Sequence, residues 1–266
     1  MSVLAAVGNL ALDVVAGDTP RPGGPVRYSA LTLARLDAEA RIGASCAAEH
    51  REALVAPLET LGLEVHWHES PTTAGYAFRS EGDRRVMEQT AVGGTWTPEQ
   101  AVAVAAGAEW VHVGALVRSD FPAETLAALA DGRHLLVDAQ GLVRRPVLGA
   151  LRTDGEIGDA LRHVDALKLD EEEADALAGT REPESLRRLG VAEVLLTLGS
   201  RGSVVVTESR VEPVVAEAVV GEVDPTGSGD SFCAAYVAAR ADGAEPVEAA
   251  RFATATVARF LSASGT

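Results

Sequence analysis

Lysine and asparagine are almost missing from this chain of 266 residues: Lys168 and Asn9 are the only examples. Arginine carries the rest of the positive charge, as the codon bias of a GC-rich genome would produce. The shortage excludes whole chemistries. A Walker A loop needs Gly-Lys-Ser/Thr, but Lys168 sits in Leu167-Lys168-Leu169 with no glycine run before it. A protein-kinase layout needs a strand lysine with later His-Arg-Asp and Asp-Phe-Gly, and both tripeptides are absent. No Gly-x-Gly-x-x-Gly follows the first apolar run, which argues against a Rossmann dehydrogenase. Cysteine is scarce. Cys46 and Cys233 lie far apart, match no metal or redox spacing, and do not suit a disulfide-built secreted fold. Positive charge is short as well, with 23 basic against 39 acidic residues and a net charge of −16. Nucleic-acid binding needs a basic surface, so a nucleic-acid partner is not expected. No run approaches the ~18 apolar residues of a membrane helix. Residues 3–7 are apolar but lack a basic prefix, and Asp13 interrupts soon after, so they read as a buried strand rather than a signal peptide. The expectation is a soluble cytoplasmic protein with no membrane partner.

What is present is alternation. Strand-like runs at 3–7, 41–44, 110–113, 134–137, 164–167 and 194–198 are separated by helical patterns at 26–36, 49–61, 98–106, 122–130 and 171–178. Helices at 229–241 and 246–261 close the chain, and 203–206 reads as an antiparallel strand. Such repetition predicts a mainly parallel sheet covered on both faces. The pattern changes at 63–68, 73–80 and 84–90, which read as adjacent strands, the last two joined by Glu81-Gly82-Asp83. The reading is a single domain over 1–266, with a small antiparallel β lid formed mainly by about 11–22 and 63–92.

The sharpest local signal is Asp224-Pro225-Thr226-Gly227-Ser228-Gly229-Asp230, followed by a helix of small residues. Glycines permit turn conformations closed to other residues, and the free N–H groups of the helix start make an anion site. Asp230 at such a start could simply cap those amides. Capping alone does not explain two glycines flanking a serine directly before it.

Four further segments precede this one along the chain. They are Gly8-Asn9 followed by Asp13, Gly23-Gly24 ahead of a helix, Leu169-Asp170-Glu171-Glu172-Glu173, and Leu196-Thr197-Leu198-Gly199-Ser200-Arg201-Gly202. In this order they resemble the ribokinase (PfkB) family of carbohydrate kinases over essentially the whole chain. The resemblance implies a ribokinase-like three-layer α/β/α fold, ATP as co-substrate and Mg2+. It implies that Asp230 takes the proton of the acceptor hydroxyl while the amides of Gly227, Ser228 and Gly229 stabilise the transferring phosphoryl group. Lys168, Thr197, Gly199, Gly202, Gly227 and Gly229 fall on the nucleotide side. Glu173 would hold magnesium, through water. Asp224 and Thr226 are candidates for a K+ site, as in some relatives, although Pro225 is equally a turn former. Asp170 stands where the family usually has Asn. Tyr28 stands where ribokinase proper has Asn, which argues against ribose.

Val137-Asp138-Ala139-Gln140-Gly141-Leu142-Val143-Arg144 follows a strand, at the sheet end where open α/β folds bind ligands. It is similar to a segment of the myo-inositol kinase branch of that family. So are Gly24 through Leu31 and Tyr76 through Arg85. The acceptor is therefore expected to be a cyclic polyol, myo-inositol first, bound by Asn9, Asp13, Gly24, Tyr28, Asp138, Gln140 and Arg144. Ribose-like sugars, sugar phosphates and nucleosides stay open within the class, with Arg27, Arg79, Arg84 and Arg85 available to a phosphate. A non-catalytic sugar-binding relative is the other reading, and the retained Asp230 argues against it. His66 and His68 share a strand face and read as lid surface rather than a metal site, for want of a third ligand. Thr254 reads as a helix-packing residue that could also approach adenine. The chain is expected to work as a monomer or homodimer.

Overall fold

Residues 3–15, 19–81, 84–217, 219 and 224–264 are described by the structure, a computed structural model. Gly82 and Asp83 of the expected hairpin turn lie outside them, as do the side chains of Arg79, Arg84 and Arg85. From the N-terminus run β1 (Leu4–Asn9), β2 (Ala11–Val15), β3 (Arg21–Gly23), α1 (Pro25–Arg35), β4 (Ala40–Cys46), α2 (Arg51–Leu54), α3 (Ala56–Glu59) and β5 (Glu64–Glu69). Next come β6 (Ala74–Glu81), β7 (Arg84–Ala91), α4 (Pro98–Val104), β8 (Trp110–Gly114), α5 (Ala123–Ala130), β9 (His134–Asp138), α6 (Ala139–Val143) and β10 (Gly149–Ala150). The last part holds β11 (Ala166–Leu169), α7 (Glu171–Ala178), β12 (Glu193–Thr197), β13 (Ser203–Val206), β14 (Val211–Val214), α8 (Ser228–Ala241) and α9 (Pro246–Ser264).

The strands make two sheets. The larger has the order β14-β13-β12-β11-β9-β8-β1-β4-β5, parallel from β12 to β5 and antiparallel at β13 and β14. Alternation along β1 sends its side chains both ways. Leu4 and Ala6 join a core with Val26, Leu33, Phe232 and Tyr236 of α1 and α8. Ala5 and Val7 join a core with Ala101, Val104, Leu126 and Leu129 of α4 and α5. The result is the expected three-layer α/β/α fold. The smaller sheet, β10-β7-β6-β2-β3, packs on a patch of Ala11, Ala74, Tyr76 and Leu116.

Three expectations need correction. The smaller sheet is mixed rather than antiparallel, because β2 pairs in parallel with β6 while the other pairs are antiparallel. The strand expected in the lid at 63–68 is β5, which pairs in parallel with β4 and closes one edge of the main sheet. An edge strand is covered on fewer sides, so it tolerates Glu64, His66, His68 and Glu69, a composition that mimics a surface lid strand. The single helix expected at 49–61 is broken into α2 and α3 at Val55. Pro57 has no N–H to donate, and it sits at the restart of α3. Short elements such as α6, β10 and β14 carry too few residues to show a period.

Gly24 turns the chain from β3 into α1. Its φ is 96°, and a Cβ there would fall 2.6 Å from the Asn9 carbonyl oxygen, so only glycine fits. Helix α8, which carries Asp230 near its start, is anchored at its far end. Glu193 of β12 accepts hydrogen bonds from the Tyr236 hydroxyl (2.5 Å) and from Arg240 Nε and Nη2 (3.2 and 2.6 Å). Arg240 also lies over the Trp110 ring, 5.1 Å from its centroid. Removing the carboxylate would strand a buried hydroxyl and a partly buried guanidinium. Glu193→Ala is expected to lower stability by about 2–3 kcal/mol, read from urea unfolding midpoints.

Candidate active site

Two cavities meet at the loop before α8. The first, of about 440 Å3, lies between the carboxyl edge of the main sheet and the smaller sheet. Asp13, Gly24, Tyr28, Gln140, Arg144 and Asp230 line it. The second, of about 470 Å3, takes Thr197, Gly199, Gly202, Ser228 and Gly229 on its polar side and Phe232, Val257 and Leu261 on its apolar side. Thr254 lines it too. Pro225 borders both.

The loop is shaped by close approach. Gly227 is the N-cap of α8 with φ 79°, and a Cβ there would lie 2.2 Å from the Tyr28 ring. Ser228 N bonds to the Pro225 carbonyl and Ser231 N to the Gly227 carbonyl. Among the described residues the intervening amides of Gly229 and Asp230 have no hydrogen-bond partner, and they sit at the positive end of the helix dipole, open to a ligand. Among the described residues no side chain caps this helix start. Asp230 therefore does not act as a cap, and its carboxyl lines the first cavity instead. Burial, and then the neighbouring Asp138 carboxylate, push its pKa up to about 7, against the pull of Lys168 and Arg144. A carboxyl poised there can take a proton near neutral pH.

Lys168 is buried beneath this turn. Its Nζ lies 3.2 Å from both Asp138 oxygens and 3.5 Å from Glu173 Oε2, and close to Gly229. Burial disfavours its charge, but Asp138 and Glu173 more than offset that and hold its pKa well above the usual value. Its ammonium is thus paired within the protein and reaches neither cavity wall. Asp138 also caps α6 by accepting from Gln140 N at 3.0 Å, and it does not line the first cavity. Asn9 is also set into the scaffold. Its Nδ2 donates to the Gly94 carbonyl at 2.8 Å, and its Oδ1 accepts from Trp96 Nε1 at 3.1 Å. The structure thus brings Asp13, Gly24, Tyr28, Gln140, Arg144 and Asp230 together and sets Asn9 and Asp138 behind them.

The acidic run forms a capping box. Asp170 Oδ1 accepts from the Glu172 and Glu173 amides, and Glu173 Oε2 accepts from Asp170 N at 2.8 Å. Among the described residues no three His, Cys, Asp or Glu side chains converge as a metal cluster. Magnesium does not require one, being commonly held by one or two carboxylates together with phosphates and waters. Asp170 lines the first cavity, whereas Glu173 behind it is buried, lines neither cavity and is engaged by Lys168 and the Asp170 amide, so it could meet such an ion only through water. Asp224 accepts from Thr226 N and Oγ1, an arrangement that builds the turn. His66 pairs with Glu64, and His68 packs edge-on against Trp96, both at the main-sheet edge.

Sequence reasoning missed the walls. Tyr76, Phe78, Met87, Leu116 and Asp170 also line the first cavity, and Phe232, Val257 and Leu261 the second. Phe78 and Met87 alternate with outward residues on paired strands, a signal that becomes useful only once the lid face is known.

Residues 15–266 match the family described as pfkB family carbohydrate kinase, and the chain belongs to that family. Its backbone is similar to a pyrophosphate-dependent kinase in the ribokinase family, solved with a pyrophosphate analog and myo-inositol. That match has 25% identity and a TM-score of 0.83, over 98% of this chain and 95% of the other. It also resembles the ribokinase of Thermotoga maritima, with 18% identity and a TM-score of 0.71, over 98% and 93% of the two chains. By sequence, it is 30% identical over 118 residues to a ribokinase of Arabidopsis thaliana, covering 40% of this chain. It is 34% identical over 83 residues to a nucleoside kinase of Methanothermobacter thermautotrophicus, covering 30% of this chain. The matched segments span 31% and 26% of those two relatives.

Replacing the carboxyl at the cavity junction should separate binding from turnover. Asp230→Asn is expected to lower kcat about a hundredfold or more at near-normal donor affinity, measured by steady-state kinetics and donor titration. Because the raised pKa makes Asp230 protonated below about pH 7, wild-type kcat/KM should fall on the acid side of neutrality and level off above it. That limb should be lost from the residual activity of Asp230→Asn.

Proposed function

We propose that the protein is an ATP-dependent kinase that transfers the γ-phosphate to a hydroxyl of a small neutral polyol or sugar, myo-inositol first. The observation that carries this reading is the position of Asp230. It stands where a hydroxyl-binding cavity meets an amide-lined one, beside the free amides of α8. An acceptor in the first cavity would give its proton to Asp230 as its oxygen attacks. The Gly229 and Asp230 amides and the helix dipole would stabilise the phosphoryl group in transit, so positioning and electrostatics do most of the work. Magnesium, when bound, would screen charge on the donor phosphates, with Glu173 and Asp170 as the carboxylates to hold it through water.

The charge around the acceptor cavity favours a neutral substrate. Among the described residues, Asp13, Asp170 and Asp230 line it against the single cation Arg144. A sugar phosphate would add negative charge to a wall that is already acidic. The apolar part of the second cavity, with Phe232, Val257 and Leu261, suits a nucleoside more than an inorganic donor. Pyrophosphate is the second reading for the donor, because the similar chain solved with myo-inositol is named as pyrophosphate-dependent. A cytoplasmic site of action fits two free buried cysteines, Cys46 and Cys233. Among the described residues no helix is long and apolar enough to cross a membrane.

The test is a donor-by-acceptor screen. ATP and pyrophosphate would each be offered with inositols, pentoses, hexoses, their phosphates and nucleosides, and phosphorylated product measured directly. ATP with myo-inositol is expected to give the highest kcat/KM. Preference for a sugar phosphate would overturn the neutral-acceptor reading, and preference for pyrophosphate would overturn the donor assignment.

A further inference from the structure

The loop that presents the Gly229 and Asp230 amides has, among the described residues, no side-chain cap to hold its shape. It turns at Gly227, whose φ is 79° and whose residue type has the widest backbone freedom. The space beside that glycine is filled by a ring. A Cβ on Gly227 would fall 2.2, 2.3 and 2.5 Å from Cδ1, Cγ and Cε1 of Tyr28. The Tyr28 ring therefore lies directly against the Gly227 backbone, where a side chain would otherwise stand.

Tyr28 is itself carried on a fixed base. It follows Gly24, Pro25 and Val26 in the opening turn of α1, where proline sets the backbone of the helix start. The next residue, Ser29, is buried and donates its hydroxyl proton to the Pro25 carbonyl at 3.0 Å. With that proton committed, Ser29 Oγ accepts from Nδ1 of His112, 2.9 Å away on β8. His112 is buried too, and burial pushes its pKa down to about 4, so the pair is neutral. On the outer side the Arg27 guanidinium lies 5.5 Å from the Tyr28 ring centroid. A hydrogen-bonded chain thus runs from the main sheet to the helix turn whose ring abuts Gly227.

We propose that Tyr28 is a positioning residue for phosphoryl transfer, its ring holding the Gly227 turn so that the Gly229 and Asp230 amides keep their direction. The proposal rests on the kinase reading, since it needs a donor phosphate at those amides. It goes beyond the place of Tyr28 in the acceptor cavity. A residue that only touched the acceptor would leave donor binding alone, whereas one that shapes the loop acts on the donor even when no acceptor is bound. Misplacing such groups by about an ångström costs on the order of a hundredfold in rate.

The test begins with the acceptor-free protein. ATP and pyrophosphate, each with magnesium, are titrated into wild type by calorimetry. If neither binds and no acceptor is phosphorylated, the kinase reading falls and this proposal with it. For the donor that binds, Tyr28→Ala is expected to weaken affinity about 5–10-fold and Tyr28→Phe, which keeps the ring, less than about twofold. At saturating acceptor, Tyr28→Ala should lower kcat about 10–100-fold. Gly227→Ala completes a double-mutant cycle. Its methyl meets the ring in wild type and open space in Tyr28→Ala, while the strain of a positive φ is common to both. Its penalty on donor affinity should therefore be at least about threefold smaller in the second background. Unchanged donor affinity in Tyr28→Ala overturns the proposal, as do additive penalties across the cycle. A raised acceptor KM with donor affinity and kcat retained also overturns it, because Tyr28 would then serve the acceptor alone. Should melting curves show Tyr28→Ala unfolded, the same cycle is read with Tyr28→Leu.

Discussion

The carboxyl edge of the main sheet is organised around one buried ammonium. Lys168 rises from β11 into a space bounded by Asp138 at the end of β9, Glu173 of α7 and the first turn of α8. Those two carboxylates are themselves buried, and neither would be tolerated charged without a counter-ion. Removing a partner from such a pair costs about 3–5 kcal/mol. A lysine suits the place better than the arginine used elsewhere in the chain. It delivers a compact point charge on a thin stem beneath a glycine, where a planar guanidinium would need more room. The same charge draws down the pKa of Asp230, which burial and Asp138 would otherwise raise further. Structure and the proposed chemistry therefore share one interaction.

The sequence showed the fold through alternation, and it showed the loop before α8 because that feature is local. Two glycines, a serine and an aspartate at a helix start are legible without knowing what surrounds them. The strand-end residues were harder. Asn9 and Asp138 are polar groups at the carboxyl ends of β1 and β9, which is where ligands bind. Whether such a side chain meets the ligand or the scaffold depends on partners far along the chain. Trp96 and Gly94 take the Asn9 amide, and Lys168 takes Asp138. β5 failed for a related reason, since an exposed edge of a parallel sheet and an exposed lid strand share one composition. The apolar cavity walls were invisible because Phe78, Met87 and Leu116 read as ordinary core until two sheets are placed face to face.

The first cavity is bounded by two sheets, and the chain crosses between them several times, one crossing passing Arg144. After α6 the chain passes Arg144 and reaches β10, which pairs with β7 of the lid through Gly149 and Gln89. It then returns through a bridge between Arg144 and Thr153. Arg118 fixes the base of this excursion, donating to the Val143 and Asp154 carbonyls and pairing with the Asp154 carboxylate. Arg144 thus lines the cavity at the root of the strap that holds the lid's outer strand. A ligand that engages Arg144 would act at one of the places where the two sheets are joined, so in the proposed reaction acceptor binding would bear on the position of the lid.

The scarcity of positive charge has a physical counterpart in this arrangement. A chain of net charge −16 that is to bind a polyanionic donor cannot rely on its mean field. Its sole lysine is consumed internally, and Arg144 faces the acceptor side. Among the described residues no cation lines the second cavity, so what remains for the proposed donor is the backbone: the amides beside the αL turn at Gly227 and the dipole of fourteen-residue α8. Those groups are fixed by the fold, carry no counter-charge and cost no side-chain entropy on binding. They are also directional, which a diffuse basic patch is not, so in the proposed reaction the phosphoryl group would be stabilised only at the point where Asp230 can meet the attacking hydroxyl.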